Sequence, residues 1–524
     1  MPVTCSPESR LQAEIVQGLQ PRLSLFNGAI RVPPTFHALP APPLWLTEYL
    51  SPYQDIDILA KCHYFKTKKK IMRAYFVTNS LFPRSPIDDL RRWRNDPNRK
   101  PLVIRGARQV GKSCLVRLFA REFPRYAELN LEKPSHAALF RRGLTLPDLI
   151  QTILLECQVP AGPAPLLLFL DEIQEVPEAV ALLRFFQEER PDLHVIAAGS
   201  LLETALEAAA VPFPVGRVQY LYVRPLTFAE FLAVMGEDAA REALLTVPAP
   251  AFAHARLLTL FHTYALIGGM PEAVLRYRGS GGDLQEVNRV YADLLAAFRD
   301  DIPKYGRNET QRRLLLHGLE SAPFVAGSRV TFQGFGGSGY RSREMGEALR
   351  TLARARLLEL VYPTVQGEAP LMPDLRKAPR LQFLDVGLVN HMAGLQRQLI
   401  GIRDLSDVYR GRLIEQIVGQ ELKSVDARAD HPLSFWVRDK AQSQAEVDFL
   451  LQTAIGVVPV EAKAGSAGKL RSLHSYLSRY PASLAVRVYA GMYQSHPIQV
   501  GEKTCRLINV PYYAAGLILR YIAE

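Results

Sequence analysis

Apolar and polar positions along this chain follow two rhythms. Short apolar runs at 101–105 (Pro-Leu-Val-Ile-Arg), 166–170 (Leu-Leu-Leu-Phe-Leu) and 195–198 (Val-Ile-Ala-Ala) each give way to glycine or polar residues. Runs of this kind predict strands buried on both faces. Between the first two, Ser113–Phe123 places Leu115, Leu118, Phe119 and Phe123 near 3.6-residue spacing, and 86–95 has the look of a short helix; both patterns fit amphipathic helices. Strands alternating with helices predict a parallel sheet of the α/β class.

Beyond about residue 236 the rhythm is helical, at Ala239–Leu245, Ala253–Leu266 and Leu284–Phe298, with Gly268-Gly269-Met270-Pro271 breaking it. A helical lid is the simplest assignment. Ser342–Leu358 then predicts a helix running straight into a strand at Leu358–Tyr362, an order that suits a winged helix. After Pro363–Pro379 come a strand at Arg380–Leu384, a helix around Arg412–Leu422, three strands at Leu433–Val437, Glu446–Leu451 and Val457–Glu461, a helix at Lys469–Tyr480 and a strand at Ala485–Ala490. That order describes a compact α/β module. The expected organisation is an irregular extension at 1–71, an α/β core at 72–236, a helical lid at 237–305, a winged-helix-like segment at 306–370 and the last module at 371–524. The extension is rich in proline and carries the run Lys66-Thr-Lys-Lys-Lys70. It fits a loosely ordered segment ahead of a true start at Met72, or a basic arm for nucleic acid.

The chemistry begins where the first strand ends. Residues 106–113 read Gly-Ala-Arg-Gln-Val-Gly-Lys-Ser between a predicted strand and a predicted helix. In such a loop the backbone N–H groups of Gly106, Ala107, Arg108, Gln109, Val110, Gly111, Lys112, Ser113 and Cys114 cradle phosphates, because glycine allows the tight path and the helix N-terminus favours negative charge. Lys112 is expected to reach the β- and γ-phosphates of ATP, and the Ser113 hydroxyl to ligate Mg²⁺. The apolar run 166–170 delivers Asp171 and Glu172 at its carboxyl end. Asp171 fits the Mg²⁺ shell, and Glu172 fits the residue that orients and polarises the attacking water. Ser200, after the third strand, is a candidate sensor of the γ-phosphate, and Arg217 a candidate for transition-state charge in its own site or a neighbour's.

A second constellation lies in the last module. Residues two apart on a strand share a face, so Glu446 with Asp448, and Glu461 with Lys463, are expected to point together. Adjacent strands then bring Asp448, Glu461 and Lys463 to one place, where carboxylates can bind Mg²⁺ and a lysine can position or activate water for phosphodiester hydrolysis. The alternative is an ion-paired cluster in a domain that only binds a partner. The helix from Ser342, with Arg341, Arg343, Arg350, Arg354 and Arg356, offers cations for DNA phosphates or merely a solvated face. Gly334–Gly339 is expected to be a hinge or wing tip.

Composition narrows the classes. Over 524 residues, Lys plus Arg exceed Asp plus Glu by 63 to 52, a net +11 that favours an acidic partner such as nucleic acid without identifying one. No apolar run is long enough to cross a bilayer, and the N-terminus lacks a signal-peptide layout, so no membrane partner and a cytoplasmic location are expected. Five scattered cysteines without C-x-x-C spacing argue against a disulfide framework or structural zinc. Oligomeric state is left open: an arginine acting on a neighbour's site requires an oligomer, and nothing else in the sequence does.

The loop at 106–113, together with Leu-Asp-Glu-Ile-Gln at 170–174, Ala-Gly-Ser at 198–200, Gly-Arg-Val at 216–218, Pro-Leu-Thr-Phe-Ala-Glu-Phe at 225–231 and Gly-Gly-Met-Pro-Glu-Ala at 268–273, resembles the prokaryotic AAA+-type, STAND-like ATPases with a C-terminal DUF4143 domain. The resemblance spans roughly 72–500. It implies a P-loop NTPase core of the ASCE class and makes Pro271 a contact to the nucleotide. The phrases Gly411-Arg-Leu-Ile-Glu415, Glu446-Val-Asp-Phe-Leu and Val460-Glu-Ala-Lys-Ala464 are similar to DUF4143 proteins, and their order resembles the PD-(D/E)XK nuclease fold. That implies a restriction-endonuclease-like module with Glu415, Asp448 and Glu461 as metal ligands. Here Glu-Val-Asp replaces the proline-aspartate opening. The expected function is a Mg²⁺-dependent ATPase coupling nucleotide state to a winged helix and a nuclease-like module on or near DNA. The alternatives are a nucleotide-gated switch whose inactive nuclease-like domain docks a protein partner, and a nuclease licensed by ATP.

Overall fold

Five parallel strands form the first sheet: β1 (Leu102–Arg105), β2 (Arg125–Asn130), β3 (Leu166–Asp171), β4 (His194–Gly199) and β5 (Gln219–Tyr222), in the spatial order β2-β3-β4-β1-β5. The computed structural model describes residues 82–199, 216–399, 411–428, 430, 432–439, 445–462 and 470–524, all within one unit, Phe76–Glu524. Alternate residues of the strands enter opposite cores. Leu102 and Ile104 join Phe169, Leu115 and Phe119 on one face, whereas Val103 joins Leu168, Leu149 and Phe186 on the other. Both faces are covered by helices, which is why the runs are continuously apolar; each large apolar side chain fully buried there contributes roughly 1.5–3 kcal/mol. The order places β4 between the loop-bearing β1 and the acid-bearing β3, and Arg105 pairs with Gly199 while Asp171 pairs with Ala198. The three strand ends therefore line one rim of the sheet.

The helix Phe228–Met235 starts in a capping box, Thr227 with Glu230, and stops at Gly236 in the left-handed region. Helices Asp238–Leu245, His254–Ile267 and Leu284–Tyr305 follow as expected from periodicity, the last running beyond Phe298, and Pro271–Gly279 is a further helix that the periodicity did not indicate. The next pair, Glu309–Ser321 and Ser342–Arg354, leads to the antiparallel strands β6 (Leu358–Val361) and β8 (Arg380–Phe383). The helix ends earlier than the pattern predicts. Leu357 N–H bonds back to Leu352 and Arg356 has φ +63°, so a tight reversal separates helix from strand. Within Gly334–Gly339, the described turn Phe335–Gly337 buries Phe335.

The last module holds two sheets. One runs β10 (Glu446–Val447), β9 (Phe435–Val437), β7 (Pro363–Thr364); the other runs β11 (Phe449–Thr453), β12 (Gly456–Ala462), β13 (Leu484–Tyr489), β15 (Lys503–Pro511), β14 (Gln494–Val500). The helix Arg412–Lys423 packs its buried face, including Leu413, Ile417 and Val418, into the common core. The strand expected over 446–451 is two strands with Asp448 at the bend between them. Among the described residues no helix is long and apolar enough to cross a membrane.

Candidate functional site

The loop after β1 follows the path its glycines permit. Gly106 has φ +157°, and a Cβ there would lie 2.2 Å from the Val223 carbonyl oxygen; Gly111 has φ +94°. Gln109, at φ +61°, also takes the left-handed region, a conformation that costs a non-glycine residue about 1 kcal/mol or more. Lys112 opens the following helix and is 6% exposed. Its ammonium donates to the carbonyls of Gly106 at 3.0 Å and Ala107 at 2.9 Å, and burial pulls its pKa down to about 8.

Above the loop is a cavity of about 360 Å³, lined by Phe82, Arg108, Lys112, Ser113, Glu172 and Pro271, among others. The Ser113 hydroxyl donates to Asp171 Oδ2 at 2.7 Å. Burial raises the Asp171 carboxyl above its usual range, with the Ser113 hydrogen bond acting against it. Glu172 stands at φ +52°, and Gln174 Nε2 donates to its Oε2 at 2.6 Å. Two hard oxygen donors side by side at the foot of an amide-lined loop suit Mg²⁺, so the residues present fit a Mg²⁺–nucleotide.

Three anchors of this site escaped the sequence reading. Arg84, 5% exposed, donates to Val110 O at 2.8 Å, to Arg224 O at 2.7 Å and to Glu230 at 3.0 Å, clamping the loop from beneath. Asp385, fully buried, accepts from Gly269 N at 2.7 Å and so fixes the Gly-Gly-Met-Pro turn that presents Pro271. Asp301, on the helix Leu284–Tyr305, grips Arg108 with both oxygens, at 2.5 and 3.1 Å. The only sequence signals were the acids of the Phe-Ala-Glu-Phe and Phe-Leu-Asp-Val runs.

Arg217 sits elsewhere. Leu102 pairs with Gln219, so Arg217 precedes β5 at the opposite end of the sheet from the loop, and its guanidinium meets Glu188 at 3.1 Å. The expectation that it serves its own chain's site is thereby corrected: the strand direction carries it away from the cavity. Ser200 and Lys463 lie outside the described residues.

In the last module the acids do converge, but around an arginine. Arg380, 2% exposed, pairs through Nη2 with Glu446, through Nε with Glu415 at 3.3 Å and through Nη2 with Asp448 at 3.6 Å. Its guanidinium also donates to the Asp448 carbonyl at 2.7 Å and lies over Phe435, 4.6 Å from the ring centre. Burial works against its charge, and Glu415, Glu446 and Asp448 more than restore it. Asp448 Oδ2 accepts from Ala462 N at 2.8 Å, which brings it beside the fully buried Glu461. Glu415 and Asp448 thus already share an internal cation, and as a ligand set they do not fit a divalent ion without displacing it. Of the arginines expected to face phosphates, Arg341, Arg343, Arg350 and Arg354 are exposed. Arg356 instead turns inward to Asp430 at 2.5 Å, because its residue forms the left-handed reversal after the helix.

Residues 98–232 match the AAA domain family, residues 258–399 a domain of unknown function, DUF8612, and residues 410–513 a second, DUF4143. Among solved structures the chain is similar to the Walker-type ATPase PABY2304 of Pyrococcus abyssi, at 16% identity and a TM-score of 0.40, over 60% of this chain and 96% of that one. It is similar to the Thermotoga maritima RuvB Holliday junction branch migration motor at 16% identity and a TM-score of 0.24, over 53% and 90% of the two chains. The Aeropyrum pernix ORC1 protein in complex with DNA gives 13% identity and a TM-score of 0.23, over 60% and 93%. No curated protein matches the sequence. An AAA-type P-loop domain and a DUF4143 domain therefore share this chain.

Proposed function

We propose that the chain is a Mg²⁺-dependent ATPase whose nucleotide state is transmitted to its C-terminal module. The observation carrying this reading is the pairing of Ser113 with Asp171 at 2.7 Å, with Glu172 beside them in the left-handed region over an amide-lined loop. The loop amides would bind the phosphates, and Lys112 would exchange the carbonyls of Gly106 and Ala107 for phosphate oxygens. Ser113 and Asp171 would hold Mg²⁺, which when bound neutralises phosphate charge. Glu172, oriented by Gln174, would hold the attacking water and take its proton. Pro271 and Phe82 would pack against the nucleotide at the cavity's apolar end.

ATP turnover by the purified chain tests this. Lys112→Ala is expected to lose ATP binding, and Glu172→Gln to keep binding while turnover falls by about 100-fold or more; wild-type turnover in both variants overturns the reading.

A second reading concerns the output. The internal Arg380 favours a nuclease-like module that docks a partner over one that cuts, while the exposed Arg341, Arg343, Arg350 and Arg354 keep DNA phosphates among the candidate partners. Plasmid, single-stranded DNA and RNA incubated with Mg²⁺ or Mn²⁺ are expected to remain intact. Cleavage that disappears in Asp448→Ala and Lys463→Ala overturns the docking reading.

A further inference from the structure

We propose that Arg108 supplies transition-state charge to the nucleotide site from within the loop itself, and that Asp301 is its positioning residue. The proposal rests on the ATPase reading above and gives that site a charge aimed at the transferring phosphoryl group. Arg217 stands at the far end of the sheet, whereas Arg108 lines the same cavity as Lys112, Ser113 and Glu172. Arg108 is the third residue of the loop, between the close approach at Gly106 and the left-handed Gln109, so the backbone that wraps the phosphates also carries its side chain.

The environment of Arg108 is that of a charge held ready. Its side chain is 31% exposed and that of Asp301 6%, and the two form a bidentate pair. Burial disfavours the guanidinium charge, but Asp301 first, and Glu172 after it, more than compensate. A buried carboxylate abandoned by its only partner would be costly. Asp301 has a second partner in Lys304, at 3.3 Å on the same helix. Arg108 can therefore leave toward a phosphoryl group while Lys304 keeps Asp301 neutralised.

The reaction needs such a group. As the water oxygen bonds the γ-phosphorus, the bond to the bridging oxygen breaks and ADP leaves with the electron pair, while the water proton passes to Glu172. Negative charge grows on the oxygens between the phosphates, where a guanidinium stabilises it without transferring a proton. The exchange also has a mechanical result. When Arg108 lets go of Asp301, the helix Leu284–Tyr305 loses its bidentate tie to the loop. That helix lies in the segment matching DUF8612, so the step that senses transferring phosphate is the one that frees the neighbouring domain.

The test uses the full chain and compares Arg108→Ala, Arg108→Lys and Asp301→Asn. Arg108→Ala is expected to lower kcat by at least about 100-fold, with ATP affinity changed less than about threefold. It should lose trapping of ADP by aluminium fluoride, which mimics the transition state, and keep trapping by beryllium fluoride, which mimics bound ATP. Arg108→Lys should recover part of the rate. Asp301→Asn should retain aluminium fluoride trapping while lowering kcat at unchanged ATP affinity, and a wild-type kcat in that variant overturns its positioning role. If Arg108→Ala keeps the wild-type rate, or if both fluoride complexes are lost together with thermal stability, Arg108 is a structural residue and the proposal fails while the ATPase reading stands. Wild-type protein that binds ATP without turnover overturns both.

Discussion

Glu421 shows what a single buried carboxyl does to this molecule. It is 3% exposed and accepts hydrogen bonds from the Phe228 N–H at 2.9 Å and the Tyr264 hydroxyl at 2.8 Å. Burial, which these bonds oppose and the nearby Glu230 assists, pushes its pKa from 4.5 to about 7. Between those values the folded chain keeps a proton that the unfolded chain has released, so stability falls as pH rises through this window, by on the order of 3 kcal/mol. Urea unfolding at pH 5.5 and 7.5 is expected to show about 2 kcal/mol of this loss in the wild type, and Glu421→Gln is expected to flatten it. At this scale the sequence was legible where the chemistry is local. Lys112, Ser113, Asp171 and Glu172 belong to continuous motifs whose spacing itself implies the site. Arg84, Arg108 and Arg380 find their acids 146, 193 and 66 residues away, and no local pattern announces a partner at that distance.

At the scale of elements, legibility followed burial. The fully buried strands β3 and β4 and the long helices were evident from the apolar pattern alone. The edge strands β2 and β5, and the outer pair β14 and β15, mix polar and apolar positions or expose one side, so their runs carry little contrast. The early end of the helix Ser342–Arg354 was hidden for a different reason: the left-handed reversal at Arg356 has no local signal, and it presents that side chain to a distant acid. Asp430 collects Arg356 at 2.5 Å, Arg224 at 3.2 Å and Lys423 at 3.4 Å, three cations from the helix end, the segment after β5 and the helix Arg412–Lys423. Burial would raise the Asp430 carboxyl, but Lys423 and Arg356 outweigh it and hold it below the usual range. Asp430→Asn leaves three crowded cations short of an acid. It is expected to destabilise the chain by roughly 1–3 kcal/mol, read as a lower urea midpoint that falls further as salt is reduced.

At the scale of the whole molecule, the P-loop core is tied to a different neighbouring segment on each side of the loop. Arg108 and Asp301 tie the loop to the helical segment, and the Asp430 clasp ties the strand beside it to the DUF4143 segment. A P-loop core was predictable from sequence because its loop, its acid pair and the flanking apolar runs are short and continuous in the chain. The wiring between modules was not, since it consists of long-range ion pairs whose residue types are common on any surface.

β5 is one of the two outer strands of the parallel sheet, and the N–H of Tyr222 on it donates to the Ala427 carbonyl at 2.7 Å. The C-terminal segment thus occupies an outer-strand position where another chain could otherwise pair. A fragment ending at residue 400 would bare that strand together with the apolar surface around Leu226 and Phe228. Expressed alone, it is expected to self-associate through β5, seen as concentration-dependent light scattering that the full chain lacks. The module beyond residue 410 would then act, whatever it recognises, as an intramolecular chaperone for the P-loop core.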